Sequence, residues 1–254
     1  MTIDLRQIQT VFFDAAGTLF HVRGSLGEIY SDTMARHGAR MASESVEIRF
    51  RQAFATAPPL TFPGAAPEEI PRLERAWWRT LVAQVMHPAE PFEKFEECFN
   101  ELFELFQTER GWELDPGAKP LLDYLASGGR RMGIVSNFDS RLRNILRHLG
   151  IDHYFKSVTI ATEAGIAKPN PEIFRLAMRE HGLGAGEAIY VGDSIKRDVE
   201  ASRAAGLIPV LILREREVSG WKIGPPRKKV QPPSDPNLVH FRSLSDLLTW
   251  LQGA

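Results

Sequence analysis

The strongest constraint on this fold is an alternation that begins near Asp115 and runs to the end of the chain. Short apolar runs, "RMGIVSN", "SVTIAT", "AIYVGDS" and "IPVLIL", are interleaved with segments of helical spacing, "SRLRNILRHLG", "PEIFRLAMREHG" and "VEASRAAG". Strand, helix, strand in that order makes a right-handed crossover, and several in succession make a parallel sheet with helices on both faces. The buried-looking "VFFD" at 11–14 supplies another strand, and "LVHFRSLSDLLTWL" returns as a strand and a helix. The predicted class is α/β with a doubly wound, mostly parallel sheet.

Between residues 26 and 108 the texture is different. "ESVEIRFRQAF", "LERAWWRTLVAQVM" and "FEKFEECFNELFELFQ" all have helical spacing, the last with Phe92, Phe95, Phe99, Leu102, Phe103 and Phe106 on one face. This block reads as an all-helical insertion after the first strand. "TAPPLTFPGAAPEE" reads as a loop between two of its helices, and "REREVSGWKIGPPRKKVQPPSDPN" as an irregular excursion with "RKK" solvated. Trp77 and Trp78 are adjacent on a helix and point in different directions, so at least one packs into the helical block.

Composition excludes several classes. With 31 Lys and Arg against 32 Asp and Glu the net charge is −1, so no global field points to nucleic acid or to a membrane surface. The single cysteine, Cys98, has no intrachain partner and lies in an apolar pattern that predicts buried packing. "MTIDLRQIQT" has no apolar signal core, and no run approaches the ~18 apolar residues of a membrane span, which predicts a cytoplasmic protein. The sequence carries no signal of oligomeric state.

Open parallel sheets bind ligands at the carboxyl ends of their strands. There the sequence places Asp14, then Ser136 and Asn137, then Lys168 ahead of a helix, then Gly192, Asp193 and Ser194 with Asp198 following. Taken singly, Asp193 or Ser136 reads equally as a turn or helix cap, and Lys168 as a surface residue. Together they suit a hard divalent cation such as Mg²⁺ held by oxygen ligands, with Lys and Ser on the anionic oxygens of a substrate.

The motifs "DAAGT", "VSN", "KPNPEIF" and "GDSIKRD", in that order, resemble the four motifs of the haloacid dehalogenase-like hydrolase superfamily, in the subgroup whose helical cap follows the first strand. The resemblance implies a Rossmann-like core, residues 1–21 and 113–254, and a cap, residues 22–112. It implies Asp14 as a nucleophile that forms an aspartyl-phosphate on a small phosphorylated substrate. It also implies Mg²⁺ held by the Asp14 carboxylate, the Ala16 carbonyl and Asp193, with Asp198 supporting from behind. Ser136, Asn137 through its backbone, and Lys168 would neutralise the phosphoryl group, and the cap would exclude water and choose the substrate.

One position departs from that pattern. Family phosphatases generally carry a second aspartate where this chain has Ala16, and a positioned general acid or base is worth about 10²- to 10⁴-fold. Three readings follow: a phosphatase for good leaving groups or with another proton carrier, such as His21, which reads equally as a packing residue; a phosphonate hydrolase, whose Schiff-base lysine would have to be Lys94, placed in the solvated-looking run "FEKFEE"; or a binding protein that turns over little. A metal-free dehalogenase fits poorly, because Asp193 is kept.

Overall fold

The computed structural model describes residues 7–87, 92–213, 235, 236 and 238–253. Six strands form the main sheet: β1 (Thr10–Phe13), β4 (Arg131–Ser136), β5 (Ser157–Ile160), β6 (Ala188–Gly192), β7 (Ile208–Ile212) and β8 (Val239–Phe241). Their order is β5-β4-β1-β6-β7-β8, and every pairing is parallel. β1 therefore lies between β4 and β6, with Phe13 opposite both Ile134 and Val191.

Period-two alternation sorts β1 between two cores. Phe13 and Val11 join Ile134, Ile189 and Val191 on one face, while Phe12 joins Val135, Phe174 and Tyr190 on the other. The first face is covered by α5 (Ala118–Ser127), α6 (Leu142–His148) and α10 (Leu244–Gly253). The second is covered by α8 (Glu172–His181) and by a π-helical turn, Ile195–Glu200, that runs on into α9 (Ala201–Ala204). A slip of one residue would exchange Phe12 for Phe13, each fully buried and worth about 1.5–3 kcal/mol, so the register that aims Asp14 is firmly set.

The insertion holds α1 (Leu26–Arg36), α2 (Ser43–Thr56), α3 (Ile70–Met86) and α4 (Phe95–Leu105). Each packs on two others: α1 on α2 and α4, α3 on α2 and α4. Cys98 and Phe99 are buried at its centre. The loop over residues 57–66 lies where the sequence places it, followed by one 3₁₀ turn, Pro67–Glu69.

Two features add to the sequence reading. The helical block is entered and left through a two-stranded antiparallel ladder, β2 (Phe20–Val22) with β3 (Trp112–Leu114), which straddles both ends of the expected cap. Strands of three residues carry too little periodicity to be read. "SVTIAT" is strand only to Ile160, after which Ala161–Ala164 forms a short helix, α7. The excursion carrying "RKK" lies outside the described residues. No helix of the described residues is long and apolar enough to cross a membrane.

Candidate active site

The carboxyl ends of the four neighbouring strands β5, β4, β1 and β6 meet at one edge of the sheet, and the polar residues expected there converge. Asp14 follows β1 directly, and its N–H still donates to Val191 O at 2.9 Å, which continues the ladder and fixes the side chain at the sheet edge. Asp14 Oδ1 accepts from Lys168 Nζ at 2.8 Å and from Ser136 Oγ at 3.0 Å. Oδ2 accepts from no described residue. Ser136 is thus a strand-end donor to Asp14 and not a helix cap.

Lys168 is buried and reaches a second carboxylate, Asp198 Oδ1, at 2.7 Å, and the Tyr190 hydroxyl at 2.8 Å. Its backbone is clamped by Asn137: Lys168 N donates to Asn137 Oδ1 at 2.7 Å, and Asn137 Nδ2 donates to Lys168 O at 2.8 Å. The Asn137 side chain therefore positions Lys168.

Asp198 builds the next loop. Its Oδ2 accepts from the N–H groups of Asp193 at 3.1 Å and Ser194 at 2.8 Å, so the turn bearing Asp193 wraps around a buried carboxylate. Ser194, and not Asp193, caps the following helical turn, accepting from Arg197 N. Gly192 permits this wrap, because a Cβ there would lie 2.5 Å from Asp198 Cγ. Gly17 has φ +93° and a missing Cβ that would stand 3.0 Å from Asp193 Oδ2, so glycine serves both the turn and the close approach.

Burial pushes Asp14 above the ordinary carboxylate range, against the pull of Lys168. Burial alone would lower Lys168, but Asp14 and Asp198 outweigh it and hold the ammonium above its usual range. Tyr190 is driven well above the normal phenol value by burial and by Asp198, so its hydroxyl stays a neutral donor.

The donors fit a hard cation. Asp14, Asp193 and Asp198 each offer a carboxylate oxygen, all within 4.8 Å of one another. In the 15–20 turn, Phe20 N donates to Ala15 O and Gly17 N to Phe20 O, leaving the Ala16 carbonyl without a donor among the described residues.

His21, the candidate substitute proton carrier, and Lys94, the Schiff-base lysine that a phosphonate hydrolase would need, lie elsewhere. His21 Nε2 faces Asp115 Oδ2 at 3.4 Å across the β2–β3 ladder, both buried. Lys94 is exposed at the start of α4. Trp77 and Trp78 are both partly buried, and Trp78 Nε1 donates to Asp139 Oδ2 at 2.5 Å. Sequence reasoning passed over Tyr190, whose strand reads as apolar, Glu74, whose partners are distant in the chain, and the neighbouring pair Asp139 and Arg141, which meet Trp78 from 61 and 63 positions away.

Residues 8–206 match the family described as haloacid dehalogenase-like hydrolase. The chain belongs to this family. It is 31% identical over 207 residues to haloacid dehalogenase-like hydrolase domain-containing protein 3 of Xenopus laevis, covering 81% of this chain and 84% of that one. A glyceraldehyde 3-phosphate phosphatase of Methanopyrus kandleri is 39% identical over 100 residues, 39% of this chain and 43% of the relative. Among solved structures, a haloacid dehalogenase-family phosphatase from Thermococcus onnurineus superposes with a TM-score of 0.59 at 21% identity, covering 97% of this chain and 99% of that one. The L-2-haloacid dehalogenase of Xanthobacter autotrophicus gives 0.66 at 20%, covering 97% and 99%. At these identities the likeness is one of fold.

Proposed function

We propose that this hydrolase is a Mg²⁺-dependent phosphatase acting through an aspartyl-phosphate on a small phosphorylated molecule, without the second aspartate at position 16. The observation that carries the reading is Asp14 Oδ1 held by both Lys168 and Ser136 while Oδ2 takes no donor among the described residues. Such a carboxylate is oriented by one oxygen and open at the other, as a nucleophile must be. The phosphatase-named relative supports it.

Asp14 attacks phosphorus as the bond from phosphorus to the leaving oxygen breaks. Ser136 and Lys168 stay within reach of the phosphoryl oxygens, where fixed charge counts most. Water then attacks the aspartyl-phosphate, phosphate departs, and the Asp14 carboxylate is restored. Asp14, Asp193 and the Ala16 carbonyl would hold Mg²⁺, which supplies further neutralisation of phosphoryl charge. Asp198 fixes the loop that aims Asp193. With alanine at 16, the leaving oxygen takes its proton from solvent, so reactivity depends on the leaving group.

The test is hydrolysis of 4-nitrophenyl phosphate and of an alkyl phosphate with Mg²⁺, by the native protein, Asp14→Asn and Ala16→Asp. The native protein turns over the aryl ester, Asp14→Asn loses about 10⁴-fold or more, and Ala16→Asp gains about 10²-fold or more on the alkyl ester. An inert native protein with an equally inert Ala16→Asp would sink the phosphatase reading and favour a binding role.

A further inference from the structure

Where the helical insertion meets the core lies a cavity of about 40 Å³, and one water takes about 10–15 Å³ on that measure. Its walls are almost wholly apolar, with Phe50, Trp78, Phe103, Trp112 and Phe138 among them. Walls of this kind favour an apolar occupant.

Two polar side chains border it, and both have unused donors. Tyr30 is buried, and its hydroxyl makes no hydrogen bond with the described residues, although a buried tyrosine hydroxyl ordinarily finds a partner. Arg141 is buried between the rings of Trp78 and Phe103, 4.9 and 4.2 Å from their centroids. Its Nε and Nη2 donate to Asp139 Oδ1 at 2.9 Å and Oδ2 at 2.6 Å, which leaves Nη1 without an acceptor among the described residues. Asp139 cancels the guanidinium charge, so an anion entering here would lose its hydration without a net counter-charge. An uncharged acceptor suits two spare donors.

Phe138 ties the cavity to the chemistry. It stands two residues after Ser136, which limits the span between their Cα atoms to about 7 Å.

We propose that this cavity is a specificity pocket for the leaving group: an uncharged, ring-sized apolar group with one hydrogen-bond acceptor, held by the Tyr30 hydroxyl and Arg141 Nη1. The preferred substrates, if the phosphatase reading above holds, are hydrophobic aryl monophosphates.

The test uses acetophenone, a ring with one neutral acceptor, beside ethylbenzene, its near-isostere without one, with binding followed by saturation-transfer NMR and calorimetry. Acetophenone binds about tenfold more tightly than ethylbenzene. Tyr30→Phe removes most of that preference while ethylbenzene binding is kept, and Val82→Phe, which fills the cavity from its wall, abolishes both. Acetophenone also inhibits hydrolysis of 4-acetylphenyl phosphate competitively. Equal binding of the two probes, no binding of either, or non-competitive inhibition would overturn the pocket. Intact acetophenone binding in a protein that hydrolyses no phosphate ester would instead overturn the phosphatase reading and leave the pocket in place.

Discussion

Lys168 Nζ lies 2.8 Å from Asp14 Oδ1, in a buried pocket that Asp198 enters from the other side at 2.7 Å. One cation therefore separates two carboxylates. Lys168→Met leaves them facing each other, which costs about 3–5 kcal/mol of stability, because breaking a buried pair strands its partners. Asp14 is already raised above its ordinary 3.8, and losing Lys168 raises it further. A raised acid favours the folded state below its unfolded pKa and loses that favour as pH rises through the folded value. Urea denaturation of metal-free protein should show the variant's deficit larger at pH 7.5 than at pH 4.5, with hydrolysis down about 10²- to 10³-fold. An equal deficit at both pH values would refute this account of the pair.

The Tyr190 hydroxyl donates to Val135 O at 2.9 Å, with Asp198 Oδ1 at 3.2 Å as a second acceptor, and accepts from Lys168. It touches the ammonium from behind and supports it. Tyr190→Phe should cost about 1–3 kcal/mol of stability, as a buried hydrogen-bonding group loses its partner. Lys168 keeps both carboxylates, so kcat/KM should fall less than about tenfold. A fall of a hundredfold with unchanged stability would show that the hydroxyl contacts substrate.

The sheet was legible because β1, β4, β5, β6 and β7 are largely buried on both faces and read as short apolar runs, and Asp14, Ser136 and Asp193 were legible because each ends or directly follows one. Lys168 was legible only as a member of the set. What stayed hidden depends on contacts between distant residues. Tyr190 hides in an apolar strand, and only the fold brings its hydroxyl to a lysine 22 positions earlier. Glu74 sits in "LERAWW" like any helix-surface acid, yet is buried against residues 66 and 88 positions away. Long-range polar pairing leaves no period in a sequence, whereas burial of apolar residues does.

Gly17 separates backbone strain from crowding at the candidate metal site. Gly17→Ala meets both a φ of +93° and Asp193 Oδ2 at 3.0 Å, whereas Gly24→Ala meets only a φ of +64° with no atom within 4 Å. Each should lose about 1–2 kcal/mol for a left-handed conformation. Only Gly17→Ala should displace Asp193, raising the half-saturating Mg²⁺ concentration several-fold in calorimetry. Equal Mg²⁺ titrations for the two variants would mean that the Asp193 approach does not govern the metal.

Glu74, on α3 of the insertion, is buried in the core-facing joint. Its Oε1 accepts from Ser140 N at 2.9 Å and from Thr162 Oγ1 at 2.5 Å, and its Oε2 accepts from the Ser140 hydroxyl. One turn on, Trp78 donates to Asp139, so a single helical face fastens α3 to the loop after β4. No cation pairs with Glu74 among the described residues, and burial pushes it above the ordinary 4.5, with the serine and threonine donors opposing. The folded state therefore holds its proton more firmly than the unfolded chain, and this contribution to stability is lost as pH rises through the raised value. Glu74→Gln stays neutral while keeping an acceptor for Ser140 N. Denaturation midpoints of the two proteins should converge near pH 4, and the variant should gain on the native protein as pH approaches 8. A difference that is constant with pH would show that Glu74 is fastened as fully by its hydroxyl partners when charged as when protonated.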